Sequence, residues 1–542
     1  MAAALAMGLP AKLSKCASFL GVAEQKDTAG AKVMRVLCQP DESGKIPKGT
    51  PAQLATLYAY CEQDTATEEA IAASIRPLQS LERPVWLLDQ AVNDYGILVD
   101  RPLARAAQRL WRTYSDTLVD EYQAIMGDEE VAPSMVARLK TWVQAEMGLP
   151  KPLDSLNESC VAELLSQVIP ANVRRALEIR QLLAGAAVKK FARFESMSHN
   201  PDSRIRGALF YHGASTGRWT GKSVQVQNLM RPTLEAEHVP FVRQLILSQD
   251  IAGIEMYFNS VSDTLGSMCR ATIIAPLGKS LIVVDYSNIE ARISAYLAGQ
   301  ENLLGDFRAK RDPYISMAAT IFSKPPQAVT KAERYIGKST ILGASYSMGP
   351  VKFRESVKQT VEITEEFATK CISTYREQYS DITMLWGVLQ SRVVRAIQTQ
   401  QHTVINKYLT AYMDGGWLIL TLPSGRYLSY YKPTLAPGKF SQPEINFIGV
   451  DPQSNNPRKE KLYGGKLLEN ITQAVARDVM AISMGALTAA GYQIIMTVHD
   501  ELIIEGWPSD LSNIEHLMRT APPWAPGLPI EVEGYYSEFY FK

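Results

Sequence analysis

Leu281-Ile282-Val283-Val284-Asp285-Tyr286-Ser287-Asn288-Ile289-Glu290 decides the reading of this chain. An apolar, mostly β-branched run predicts a short buried strand, and the polar residues after it end that strand at a carboxylate. A second stretch repeats the arrangement, with Ile494-Ile495-Met496-Thr497-Val498 leading into His499-Asp500-Glu501. An apolar strand ending in an aspartate delivers that aspartate to the rim of a sheet. Two such strands side by side bring Asp285 and Asp500 together as a site for a pair of hard divalent cations, with the Tyr286 carbonyl as a further oxygen. That is the equipment for two-metal phosphoryl transfer. A lone aspartate after a strand is more often a turn residue or a helix N-cap, so the inference rests on the two contexts together.

Arg334, Lys338, Leu342 and Tyr346 recur every four residues. On a helix that spacing sets them along one stripe. Thr330 and Glu333 form a capping-box signature ahead of it, and Gly349-Pro350 is expected to end it. Two cations followed by an apolar residue and a ring suit a nucleotide better than a core, though a surface helix with an amphipathic edge has the same pattern. Lys338 is placed to protonate a leaving pyrophosphate. Gly337 and Gly343 weaken the helix and are expected to permit close approach of a substrate, or bending.

Bulk properties bound these readings. The chain has 542 residues, with 56 basic and 56 acidic side chains, so binding of nucleic acid would depend on local basic stripes. The 6 cysteines form no CxxC pair, which argues against a disulfide framework or a zinc ribbon and fits a reducing compartment. No stretch is apolar and long enough to span a bilayer, and Met1–Pro10 lacks the basic start of a signal peptide.

Helical runs are expected over Ala52–Ile75, Pro102–Met126 and Val173–Phe191. The last carries Arg174, Arg175, Arg180, Lys189 and Lys190, either a solvated face or one suited to a phosphate backbone. Residues 287–412 read mostly as helices, 417–450 as strands and turns, and Tyr463–Ala490 as a long helix stopped by Gly491. Strands and helices do not alternate, which fits an α+β fold built on an antiparallel sheet.

Five segments, in this order, resemble the DNA polymerase I-type, family A polymerases. They are Ser215-Thr216-Gly217-Arg218 through Gln225-Val226-Gln227-Asn228, Asp285 through Arg292, the Arg334–Tyr346 stripe, Asn470-Ile471-Thr472-Gln473 and Val498-His499-Asp500-Glu501. The similarity is to phage-type members. The resemblance implies a right-hand fold: a palm with an antiparallel sheet, a helical thumb and helical fingers. It divides the chain into an exonuclease-like remnant over 1–83, the start of the palm over 84–102, a thumb over 103–203, palm over 204–299, fingers over 300–412 and palm over 413–542. It implies template-directed addition of dNTPs to a primer 3′-OH. Asp285, Asp500 and Tyr286 would hold two Mg²⁺ ions, for which Mn²⁺ is expected to substitute. Glu290 resembles the steric gate against a ribose 2′-OH. Arg334, Lys338, Leu342 and Tyr346 match the nucleotide-binding positions. Arg218, Gln225, Gln227, Asn228, Gln473 and His499 match positions at the primer-template minor groove, where donors test pairing without reading sequence. Leu342 departs from the usual Phe or Tyr, which puts sugar discrimination in question.

Tyr60 and Asp64 are similar to the last motif of that family's 3′–5′ exonuclease domain, but no Asp-x-Glu occurs in residues 1–84. A truncated proofreading domain without activity of its own is expected, which leaves room for a separate exonuclease or replication partner. The expected setting is the cytoplasm of a bacterium or a phage-infected cell. Two rival readings are a single-subunit RNA polymerase relative, against which Glu290 argues, and a non-catalytic nucleic-acid-binding protein that kept the fold.

Overall fold

The computed structural model describes residues 1–40, 44–151, 153–184, 188–358, 360–438, 443–451 and 454–542. Parts of the helix expected from Val173, of the helical stretch 287–412 and of the strand region 417–450 lie outside the described residues. The elements that place the site are, in chain order, α1 (Pro51–Ser74), α2 (Glu82–Tyr95), α3 (Arg101–Met126), β1 (Ser280–Tyr286), α4 (Ile289–Ala298), α5 (Pro313–Phe322), α6 (Lys331–Ala344), α7 (Gly464–Ala489), β2 (Gln493–Val498), β3 (Glu501–Gly506) and β4 (Val532–Ser537).

Local chemistry sets the ends of these helices. Thr50 and Gln53 make a capping box at α1, as Thr330 and Glu333 do at α6. Asp100 caps α3, and Gly127 stops it in the left-handed region. Gly491, at φ +87°, follows α7.

The central sheet is antiparallel in the order β2-β3-β1-β4. The two apolar runs read from the sequence are therefore not side by side, because β3 lies between them. The cause is local. His499-Asp500 is a two-residue connection, and so short a turn can only return the chain beside the strand it left. Of that pair, the buried run Leu502-Ile503-Ile504 is the one that lies against β1 and takes the central place. Asp500 lies in the turn, and Glu501 faces Asp285 across the β3–β1 ladder.

A second sheet is a six-stranded meander, Thr403–Val404, Thr410–Asp414, Trp417–Thr421, Tyr427–Ala436, Glu444–Val450 and Pro457–Leu462, each strand beside its sequence neighbour. The front end of the chain packs on it. Ala4, Met7, Leu9, Phe19 and Ile71 share a small core with Trp417 and Ile419, and Arg76 ties the segment to Asp414 and Tyr412.

α3 joins two cores. Its first turns place Leu103, Ala107 and Leu110 in the main core, while Leu118 and Tyr122 belong to a separate core with Leu139, Val143, Val173 and Leu177. At 26 residues it reaches about 39 Å. The helix expected over Val173–Phe191 is two helices, Ala171–Ala184 and Lys189–Met197. Most of its cations turn inward. Arg174 donates to the Leu165 and Gln167 carbonyls, Arg180 to the Pro133 carbonyl and Lys190 to the Val224 carbonyl, and Arg175 pairs with Glu121. Orphan carbonyls at loop and helix ends claim them, so the expected basic face is not a continuous one. Among the described residues no helix is long and apolar enough to cross a membrane, and no disulfide joins any two of the cysteines.

Candidate active site

Period-two alternation along β1 sends Tyr286 into the core, where its hydroxyl donates to Ser483 Oγ (2.6 Å), and leaves Asp285 at the rim. The Asp500 carbonyl accepts the Tyr286 N–H (3.1 Å), which docks the β2–β3 turn beside Asp285. His499 holds that turn in the left-handed region, φ +54°, a strained conformation for a residue other than glycine. Burial pushes the Asp500 carboxyl above its ordinary range, Arg218 opposes this, and the negative charges of Glu290 and Asp285 push it further.

Side-chain cations answer that concentration of acid. Arg218 bridges Asp500 (2.8 Å) and Glu290 (2.8 Å). The Tyr346 hydroxyl donates to the other Glu290 oxygen (2.7 Å). Lys542 bridges Asp285 (2.8 Å) and Glu501 (2.9 Å), and the Tyr540 hydroxyl donates to Glu501 (2.6 Å). Tyr540 and Lys542 were invisible to motif reading. They reach the rim because β4 pairs with β1, and no local pattern in the sequence announces that.

Among the described residues no group of three or more His, Cys, Asp or Glu side chains forms a metal cage by itself. Two carboxylates and a backbone carbonyl fit a Mg²⁺ ion that completes its shell with water and substrate phosphate. The cations on both carboxylates show the demand for positive charge at this rim.

α6 presents Arg334, Lys338 and Leu342 on an accessible face, with Leu342 48% exposed. The helix ends at Ala344 rather than at Gly349-Pro350, so Tyr346 lies past its end. Trp386 Nε1 takes the Ser345 carbonyl (3.0 Å), and Ser347 turns left-handed at φ +69°. Gly337 serves helix packing rather than substrate approach, because a Cβ there would lie 2.2 Å from the Tyr314 carbonyl. At Gly343 a Cβ would lie 3.2 Å from the Met348 sulfur, a tight contact with the end of a flexible side chain.

Arg218 owes its place to a buried network that sequence reasoning missed. Arg477 on α7 donates to both oxygens of Glu82 (2.6 and 2.7 Å) and to the Gly217 carbonyl (3.1 Å). Arg426 donates to Asp478 (2.6 Å) and to the Thr216 carbonyl (3.0 Å). Gly217, at φ +91°, leaves no room for a side chain, since a Cβ would sit 2.6 Å from Arg426 Nη1. Burial opposes ionisation of Glu82, but His212 and Arg477 hold its carboxyl well below the usual range. His212 touches Glu82 (3.2 Å), and burial lowers its pKa to about 3 from 6.5. Below about 6.5 the unfolded chain therefore binds a proton at His212 that the folded one refuses until about 3. Stability from this group is complete above about 6.5 and is lost as pH falls through that window. His212→Gln, which keeps a donor for Glu82, is expected to flatten the decline in unfolding temperature between those pH values, as read by a thermal scan at each pH.

Gln227 Nε2 donates to the Thr497 carbonyl (3.1 Å), just before His499. Gln225 and Asn228 are exposed and bonded to each other (3.2 Å). Gln473 lies half-buried one turn before Arg477 on α7. Tyr60 and Asp64 are far along the chain from this group, on α1, where Lys26 sits over the Tyr60 ring (4.7 Å) and pairs with Asp64 (2.6 Å).

The model of DNA polymerase family A matches residues 103–535. The DNA polymerase of Bacillus phage SP02 is 33% identical over 556 residues, which cover 99% of this chain and 84% of the phage protein. A thermostable DNA polymerase I of Thermus thermophilus is 23% identical over 522 residues, covering 89% of this chain and 52% of that protein. The polymerase domain of Pol1 from M. smegmatis, solved with DNA primer-template and dNTP, superposes with a TM-score of 0.57 at 17% identity, over 97% of this chain and 81% of that one. That likeness shows the shared fold.

Proposed function

The chain belongs to DNA polymerase family A and is a DNA-directed DNA polymerase, and from that premise we propose that Asp285 and Asp500 are the carboxylates at which it joins a dNTP to a primer 3′-OH. The observation that carries this reading is the docking of the Asp500 turn against Tyr286, beside Asp285. Asp285, Asp500 and the Tyr286 carbonyl would hold the divalent cations, two Mg²⁺ ions in this reading, which would supply Lewis acidity for the attacking hydroxyl and the departing pyrophosphate.

The chain's own residues do the rest. Arg334 and Lys338, on the open face of α6, receive the triphosphate, and Lys338 gives a proton to the leaving pyrophosphate. Glu290, fixed by Arg218 and Tyr346, closes the space that a ribose 2′-OH would need. Leu342 and Tyr346 border the base and sugar. Arg218, Gln225, Gln227, Asn228, Gln473 and His499 face the minor groove of the primer-template. When DNA enters, Arg218 exchanges a carboxylate for a base edge. We assign 103–203 to the thumb, 300–412 to the fingers and 84–102, 204–299 and 413–542 to the palm, with 1–83 as the exonuclease-like remnant. The bacterial and phage relatives support work in the cytoplasm of such cells.

Primer extension tests this. The purified chain is expected to extend a labelled primer with dNTPs and Mg²⁺, to stop on chelation and recover with Mn²⁺, and to use rNTPs poorly. Template-independent extension, or equal use of rNTPs, contradicts the reading. The same reaction without dNTPs should leave the primer intact, because no Asp-x-Glu accompanies Tyr60 and Asp64 within residues 1–84.

A further inference from the structure

Arg334 and Lys338 are keyed to one short segment of the chain. Arg334 Nε donates to Asp312 (2.7 Å), and the other Asp312 oxygen caps α5 through the Tyr314 N–H (2.8 Å). The Tyr314 ring lies under both cations, 5.3 Å from the Arg334 guanidinium and 6.0 Å from the Lys338 ammonium. Gly337 brings α6 directly onto the Tyr314 carbonyl. The far end of the same ring leaves this segment, and its hydroxyl donates to Asn288 Oδ1.

Asn288 is an unusual acceptor. It occupies the N-cap of α4 in the left-handed conformation, φ 55°, and its side chain makes no capping bond to its own helix. Asparagine at an N-cap ordinarily accepts from the first turn, so here that acceptor is diverted across the cleft to Tyr314. The Asn288 carbonyl meanwhile accepts the Arg292 N–H (3.1 Å), which starts α4, and Glu290 lies in that first turn.

We propose that Tyr314 is a positioning residue that couples the triphosphate-binding face of α6 to the sugar gate, through its hydroxyl on Asn288. One side of the ring registers Arg334 and Lys338. The other holds the turn that sets the height of Glu290. A nucleotide gripped at its phosphates thereby meets a gate already placed for its sugar. Arg218 and Tyr346 fix the Glu290 carboxylate, while Tyr314 fixes the backbone that carries it.

The inference rests on Glu290 being the gate, and the experiment separates the two claims. Glu290→Ala, Tyr314→Phe, Asn288→Gly and the Tyr314→Phe/Asn288→Gly double variant are compared for kcat/KM with a dNTP and with its rNTP. Phenylalanine keeps the ring under the cations, and glycine accepts the left-handed backbone, so both single changes spare the packing. Tyr314→Phe and Asn288→Gly are each expected to lower the dNTP-over-rNTP ratio by about tenfold, the worth of one good hydrogen bond. The double variant is expected to lose no more than either single one, since both remove the same bond. Loss of discrimination in Glu290→Ala with none in Tyr314→Phe and Asn288→Gly overturns the coupling and keeps the gate. Unchanged discrimination in Glu290→Ala overturns the gate itself. A raised dNTP KM in Tyr314→Phe at an unchanged ratio reduces Tyr314 to a support for α6 and also overturns the coupling.

Discussion

Asp285→Asn and Asp500→Asn are each expected to cut single-turnover incorporation by at least about 10³-fold, because a bound metal contributes several kcal/mol to the transition state and each 1.36 kcal/mol is tenfold. Asparagine matches aspartate in shape, so β1 and the β2–β3 turn should keep their places. What it lacks is the charge that attracts a cation. Primer-template affinity should stay within about threefold of the parent, since a carboxylate repels phosphate and contributes nothing to holding the backbone. The two substitutions are not equivalent in their side effects. Asp285→Asn leaves Lys542 with Glu501 alone, whereas Asp500→Asn leaves Arg218 with Glu290 alone. Rapid-quench incorporation and equilibrium DNA binding, measured on the same preparations, decide the matter. Retained incorporation in either variant contradicts the assignment of the metal site.

The second large effect is on stability. Arg477→Met is expected to destabilise the fold by about 3–5 kcal/mol, the usual consequence of stranding one member of a buried ion pair. Arg477 is 1% exposed, and its partner Glu82 is 2% exposed, so no water can replace the lost donors. Adding Glu82→Leu to the same chain should restore a good part of the loss, because the burial penalty of the stranded carboxylate then disappears. Urea unfolding of the parent, both single variants and the double variant measures the cycle. An Arg477→Met chain as stable as the parent contradicts the picture. Activity should stay low in the double variant even where stability returns, since the Gly217 carbonyl has lost its donor and the loop leading to Arg218 is no longer held.

The local features of the site were largely legible in the sequence, and its long-range ones were not. β1, α3, α6 and α7 follow from apolar runs, capping pairs and terminal glycines, all of which act within a few residues. The order of strands is not legible there, because Leu502-Ile503-Ile504 looks no different from Ile494-Ile495-Met496. The shortness of the His499-Asp500 connection reveals that these two runs pair with each other, but not which of them lies beside β1. The end of α6 was overrun for a related reason. The Trp386 side chain that takes the Ser345 carbonyl comes from 41 residues further along. The Glu82–Arg477 pair spans 395 residues. Lys542 and Asp285 are 257 apart. No periodicity encodes such partnerships, whereas the Arg334–Lys338–Leu342 stripe needs only the pitch of one helix.

The docking of Ala4, Met7, Leu9, Phe19 and Ile71 on the six-stranded meander bears on how this polypeptide tolerates shortening. Trp417, Ile419 and Tyr431 line a sheet face whose cover comes from Met7, Leu9, Phe19 and Ile71. A gene trimmed to the catalytic portion would strip that cover and leave a greasy sheet face ready to self-associate. Selection against clumping is thus reason enough to keep the front end.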